Sequence, residues 1–289
     1  MTVSENLLSL SDKFTASERR LLTTLLDDYP IIGLSNMNDL ATAAGVSTTT
    51  VVRLMSKAGY DGFPHFQAAL RKELKAMISD PISKKDAWRA GIPEGHVLSQ
   101  YSHKALENLK RSIDDLDPSN FDEFCRSLCD MDHSVFVVGG RITGTVAEYF
   151  QMHLQMMRKN VRLVRNGGSW PHTILDLSKG DVVVVFDVRR YENTTLQMAQ
   201  MCHDKGAKVY LFTDEWRSPV HSIAESTFIH RIVVPSAWDS MLPLMMLAEC
   251  TIASVQDQLW EVVEERTSHL EAMFDKTKLF RKFGKYSNE

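Results

Sequence analysis

The sequence predicts a multi-domain chain: an all-α N-terminal domain, then an α/β domain with a parallel sheet flanked by helices. Three observations predict it. At 289 residues the chain exceeds the roughly 100–200 residues of a single domain. From Ala16 to about Met77 the apolar residues recur at helical spacing throughout. From Ser134 onward, short runs that are apolar on both faces alternate with helical stretches, the pattern of a parallel sheet covered on both sides. The boundaries predicted from these shifts are 1–80, 81–117 for a linker and connecting helix, and 118–289.

In chain order, Ser17 is placed as the cap of a helix carrying Leu21, Leu22, Leu25 and Leu26, which Pro30 ends. Ser35 or Asn36 opens a second short helix, and Ser47 caps a third. A fourth follows Pro64, with Phe66, Leu70 and Leu74 on one face. Asp80–Gly95, with Pro81, Gly91, Pro93 and Gly95, reads as a linker. An amphipathic helix spans His96 to about Asp117, and Pro118 separates it from another. Strands are predicted at Ser134–Gly140, Val161–Arg165, Asp181–Asp187, Lys208–Thr213 and Phe228–Val234. Helices are predicted at Thr143–Arg158 and Asn193–Lys205, with one long helix from Asp239 to about Glu265. A basic tail follows, with Lys276, Lys278, Arg281, Lys282 and Lys285.

The composition is that of an ordinary globular protein, with a net charge of −4. Any nucleic-acid binding must come from a local surface and not from bulk charge. No stretch reaches the roughly 18 apolar residues of a membrane span, and Met1–Ser11 lacks the basic and apolar regions of a signal peptide. The expected location is the cytoplasm, associated with the nucleoid. Cys125, Cys129, Cys202 and Cys250 form no CxxC pair and read as free thiols, and no HxxxH or HExxH pair is present. Neither a metal nor a cofactor is expected.

The most informative segment runs from roughly Asn38 to Lys57 and contains DLATAAGVSTTTVVRLMSK. A helix-turn-helix needs a small residue where its helices cross, a residue tolerant of positive φ in the turn, and a buried aliphatic in the second helix. Ala41, Gly45 and Val51 supply these, and Leu40, Ala44, Val46 and Leu54 fill the other inward positions. The predicted DNA-contacting residues are Ser47, Thr48, Thr49 and Thr50, read as exposed at the start of the second helix, with Arg53 and Lys57. Between Gly45 and Lys75, five basic residues face two acids. So small a surplus implies a homodimer or homotetramer presenting two heads to a palindromic operator.

The blocks FTASERRLLTTLL and DLATAAGVSTTTVVRLMSKAGYDGFPHFQAAL closely resemble the N-terminal domain of RpiR-family bacterial transcriptional regulators. VFVVGGRITGTVAEYF, GDVVVVFDVRR and AQMCHDKGAKVYLFTDEWRSPVHSIAES resemble a SIS domain, the sugar isomerase fold that these regulators use as a sensor. The resemblance implies a cytoplasmic DNA-binding regulator, more commonly a repressor, that responds to a carbohydrate derivative or related metabolite.

Read from its residues, the sensor half places Gly139, Gly140, Arg141 and Thr143 at a strand-to-helix turn, where an open parallel sheet binds ligands. SIS domains that bind phosphosugars typically carry Ser-x-Ser-Gly-x-Thr after the next strand. Here the same positions hold Asp187, Arg189, Arg190 and Glu192. Two readings follow. Either Asp187, Arg189 and Arg190 bind a small anionic metabolite, a sugar phosphate or a carboxylate, or an internal Asp–Arg ion pair plugs the site and leaves a DNA-binding oligomer without a ligand. Ser236 and Ser240, before the long helix, are further ligand candidates, with Asp239, Thr213 and Ser218 secondary. An isomerase needs a positioned base and a phosphate grip. With that signature absent and no sequence partner for His172, His221 or His230, no catalytic residue is assigned and no enzyme is expected.

Overall fold

Two Thr-x-x-Glu sequences start the first two helices. In the computed structural model, which describes residues 2–89, 96–165 and 167–281 and leaves aside the side chains of 86–89, Thr2 caps α1 (Val3–Ser9) and Thr15 caps α2 (Ala16–Asp27). In each, the glutamate returns the bond: Glu5 accepts from the Thr2 amide and Glu18 from the Thr15 amide, both at 2.7 Å. These reciprocal bonds satisfy N–H groups that a helix start leaves unpaired. The cap of α2 is therefore Thr15, not Ser17, which lies in the first turn. The sequence reading contained no α1.

The short helices α3 (Ile31–Leu34) and α4 (Met37–Ala43) follow, then α5 (Thr48–Lys57) and α6 (Phe63–Ile78). Asn36 accepts from the Asp39 amide at 2.9 Å and Ser47 from the Thr50 amide at 3.3 Å, which fixes the starts of α4 and α5. Leu7, Leu21, Leu25, Leu40, Val51, Leu54, Phe66 and Leu70 form the core of this unit. Asp80–Gly95 is not a plain linker, because α7 occupies Pro81–Arg89. Asp80 accepts from the Ile82 and Ser83 amides at 2.8 and 3.0 Å, and Pro81 stands at the first helical position, where no N–H is needed. Gly91, Pro93 and Gly95 lie outside the described residues.

The described chain divides into two compact units, one of Met1–Glu94 with Ser236–Trp238 and the other of Gly95–Pro235 with Asp239–Glu289. The second begins with α8 (Val97–Asp114) and α9 (Pro118–Cys129). Then come β1 (Val135–Gly139), α10 (Thr143–Met157), β2 (Val161–Val164), α11 (Trp170–Leu175), β3 (Val182–Phe186), α12 (Asn193–Asp204), β4 (Lys208–Asp214) and β5 (Ser226–His230). The strands are all parallel, in the order β2-β1-β3-β4-β5. Alternate residues face opposite sides. Val138, Val183, Val185, Val209 and Leu211 pack with Ile174, Met198 and Cys202 of α11 and α12. On the other face Phe124 of α9 lies 4.9–5.6 Å from the rings of Tyr210, Phe212 and Phe228, and Phe150 of α10 lies 5.8 Å from Phe186. Buried Asn108 of α8 donates to the Val233 carbonyl at 2.8 Å, so the predicted connecting helix packs within this unit.

Two predicted elements differ. The last strand runs Ser226–His230 and not Phe228–Val234, because its register pairs His230 with Asp214, the final residue of β4. Ile232 and Val234 are buried beyond the sheet. The single C-terminal helix is two, α13 (Leu242–Gln258) and α14 (Trp260–Thr277), separated at Leu259 where φ is −107° and ψ 21°. Lys282 and Lys285 of the basic tail lie outside the described residues.

Phe124 is the hub of the aromatic layer and fully buried. Phe124→Ala is expected to destabilise the second unit by about 3–5 kcal/mol, measured by denaturant titration of the full chain. A loss under about 1 kcal/mol would show that the layer does not hold the sheet.

Candidate functional site

In the helix-turn-helix the chain leaves α4 through Gly45 at φ +60°, and the Val46 amide donates back to the Ala41 carbonyl at 2.9 Å. Ala41 and Val51 are buried where α4 and α5 cross. Along α5, Ser47 and Thr49 are exposed, Thr48 is half-buried and Arg53 is exposed. Thr50 departs from the sequence reading: it is buried, its hydroxyl 3.1 Å from that of Ser47, on the inward side with Val51 and Leu54. A residue three after the cap turns under the helix start, which is why it does not share the outward face of Thr49.

Arg53 and Lys57 share one partner that the sequence reading missed. Glu18 of α2 is fully buried, and it accepts from Arg53 Nε at 2.9 Å and from Lys57 Nζ at 2.8 Å. Burial alone would raise its pKa. The bonds from Lys57, from Thr15 and from Arg53 outweigh it and bring the pKa down to about 2. Lys57 also donates to the Lys13 carbonyl at 3.3 Å, so its ammonium is committed internally. The signal was legible as the capping box Thr15-x-x-Glu18. The pairing with α5 was not, because the partners are more than thirty positions apart.

In the second unit, the loops after β1 and β3 diverge to opposite sides of the sheet, which makes a switch-point crevice at their carboxyl ends. Gly139 permits the turn, since a Cβ there would lie 2.8 Å from the backbone of Gly144. Thr143 is buried, and its hydroxyl accepts from the Gly140 amide at 2.8 Å. The Arg141 amide donates to Glu192 Oε1 at 2.8 Å, and the Glu192 carboxylate lies so close to Gly140 that a Cβ there would meet it at 3.0 Å. A carboxylate of the chain itself thus sits on the Arg141 amide, in the turn just ahead of α10.

The other predicted ligand residues also have internal partners. Asp187 accepts from the Ser218 hydroxyl, and burial, with Asp214 and Glu192 nearby, pushes its pKa up to about 7. Asp214 is buried and accepts from Tyr191 OH at 2.6 Å and from the Trp216 amide at 3.0 Å. The Arg189 guanidinium stacks over Trp216 at 4.2 Å, with Nε 3.4 Å from Asp239. The Asp–Arg pair therefore exists, but with Asp239 and not with Asp187. Arg190 is exposed at φ +63°. Ser236 accepts from the Trp238 amide at 3.1 Å, and Ser240 is buried, its amide donating to the Ile232 carbonyl at 2.9 Å. The geometry brings Gly139, Gly140, Arg141 and Thr143 together with Glu192. His230 is fully buried, and burial pulls its pKa down to about 3, so the ring is neutral. Among the described residues no group of three or more His, Cys, Asp or Glu is placed to hold a metal, and no helix is long and apolar enough to cross a membrane.

The model of the helix-turn-helix domain of the rpiR family matches residues 1–77, and that of the SIS domain matches residues 130–254. The chain is a transcriptional regulator that joins a helix-turn-helix domain of the rpiR family to a SIS domain. This regulator is 21% identical over 288 residues to an uncharacterized HTH-type transcriptional regulator of Clostridium perfringens, a match covering 95% of this chain and 100% of that one. A second such regulator, from Providencia stuartii, is 22% identical over 248 residues, covering 83% and 82%. Among solved structures, the sugar isomerase domain of the RpiR transcription factor from Sphaerobacter thermophilus is 19% identical, covers 62% of this chain and 99% of its own, and has a TM-score of 0.58. The Vibrio vulnificus NanR protein complexed with ManNAc-6P is 16% identical and covers 97% and 100%, with a TM-score of 0.57. Both share the regulator's fold.

Glu18 gives a pH signature. Its pKa is lowered on folding, so its stabilisation is fully present above about pH 4.5 and is lost as pH falls towards 2. The wild-type melting temperature is expected to fall more steeply than that of Glu18→Gln between pH 5 and 2.5, by up to about 3 kcal/mol of stability. Parallel curves would rule out a charge contribution.

Proposed function

We propose that this regulator is a repressor that binds an operator duplex as a homodimer through α5 and senses a small anionic metabolite in its SIS domain. The metabolite enters the crevice at the carboxyl ends of β1 and β3 and displaces the carboxylate of Glu192. The observation that carries this reading is the Arg141 amide with Glu192 on it at 2.8 Å: the turn between β1 and α10 holds an anion, here a tethered side chain. Gly139, Gly140, Arg141 and Thr143 are the contacts we assign to the metabolite, with exposed Arg190 free to reach it. Buried Asp187 and Arg189 are assigned to the walls of the site. That the NanR structure carries ManNAc-6P supports an anionic, sugar-phosphate-like ligand.

The homodimer rests on two observations. The small positive surplus between Gly45 and Lys75 calls for two heads. In the second unit, α10 and α14 present Met152, Met156, Trp260 and Met273 at 59, 42, 51 and 55% exposure. The three methionines line a groove of about 1030 Å³ that also contains Leu270 and Phe274. Contiguous apolar surface of this kind marks an interface. The chain acts on DNA in the cytoplasm, associated with the nucleoid, and turns over no substrate: its regulator relatives support a binding role.

The test is a thermal-shift series of the purified chain with sugar phosphates, dicarboxylates and neutral sugars, repeated with Glu192→Gln. A ligand at 100 times its Kd adds about 2.7 kcal/mol of stability. The anions are expected to bind Glu192→Gln about tenfold more tightly, because a competing internal anion lowers apparent affinity. If no anion shifts either protein while selected DNA does, the SIS domain is a ligand-free scaffold. That second reading is favoured by the internal contacts of Arg189 with Trp216 and Asp239 and of Asp187 with Ser218.

A further inference from the structure

Arg53 and Lys57 both donate to Glu18, yet they are held differently. Lys57 Nζ has two internal acceptors, Glu18 Oε2 at 2.8 Å and the Lys13 carbonyl at 3.3 Å. Arg53 is tied only by Nε, 2.9 Å from Glu18 Oε1, and its side chain is 53% exposed. Its two terminal nitrogens have no protein partner among the described residues. The bond at Nε restrains the plane of the guanidinium, since its atoms are coplanar. A guanidinium clamped in this way presents its end as a fixed fork, the geometry that matches the O6 and N7 of guanine or two phosphate oxygens. Thr49 and Arg53 are four apart on α5, so the fork shares the outward face with an exposed hydroxyl.

We propose that Glu18 is a positioning residue for DNA recognition, holding Arg53 as a preorganised fork on the outward face of α5. The proposal rests on α5 meeting DNA. A plain staple between α2 and α5 would need only one cation, and Lys57 with the Thr15 amide already satisfies one oxygen of the carboxylate. The second oxygen is used to fix Arg53, the more exposed of the two basic side chains of α5, whose terminal nitrogens point away from the carboxylate bond.

The two roles differ in sign. Removing a negative charge from a DNA-binding surface ordinarily strengthens binding through the phosphate attraction. Loss of a positioning residue weakens binding despite the gain in charge.

The probe is a duplex selected from a random-sequence library by the wild-type chain, with a mixed-sequence duplex as reference. Failure of the wild type to select any duplex would overturn the DNA-binding reading itself. Given selection, Glu18→Gln is expected to bind the selected duplex about tenfold more weakly, the order of one lost base-edge contact, with mixed-sequence binding unchanged or tighter. In an Arg53→Ala background the same substitution should have no further effect. Equal or tighter binding of the selected duplex by Glu18→Gln, or equal weakening with and without Arg53, would sink the proposal. Should Glu18→Gln melt below the assay temperature, Arg53→Lys keeps the charge and leaves Glu18 intact. It is expected to reduce discrimination between the two duplexes about tenfold, and unchanged discrimination counts against the fork.

Discussion

An ionised carboxylate taken out of water is costly unless donors meet it on every side, and the first unit is arranged around meeting one. Glu18 receives the Thr15 amide, Arg53 and Lys57, so a single side chain closes the start of α2 and ties it to α5. Helix start and interhelix contact are thereby one interaction. The angle of α5 is set by charge as well as by the packing of Leu21, Val51 and Leu54.

The second unit depends on a different constraint. An all-parallel sheet has to be covered on both faces, and its connections must leave from the carboxyl ends of the strands. Valines and leucines cover one side and a ring of aromatics around Phe124 the other. Where the β1 and β3 loops part, Gly139 and Gly140 bring no side chain. Glycines let the backbone close in, and the start of α10 faces whatever fills the space. Here that is Glu192.

Much of the fold was legible because its signals are local. The strands at Val135–Gly139 and Val182–Phe186 are unbroken apolar runs, and the turn at Gly45 sits where a positive φ is needed. The cap of α2 was misplaced onto Ser17, although Thr15-x-x-Glu18 was in view. α7 was hidden behind prolines and glycines that look alike in linkers and at helix starts. The end of β5 was not readable, because a strand stops where its neighbour does. The site was half legible. Gly139 to Thr143 could be placed from the strand-glycine-helix order, and Glu192 stood out as the residue where a threonine was expected. That its carboxylate reaches the Arg141 amide depends on β1 and β3 being adjacent in space, which no run of sequence states. For the same reason the ion pair of Arg189 with Asp239, fifty positions on, could not be read from the nearness of Asp187 in sequence.

Glu192 immediately precedes α12, and its backbone is therefore anchored. A group held on so short a tether acts at a fixed effective concentration, set by geometry and indifferent to what the cell contains. Any metabolite arriving at the crevice competes against that constant. The response threshold is then a property of one side chain's length and charge, adjustable by substitution at a single position while every group that touches the metabolite stays the same.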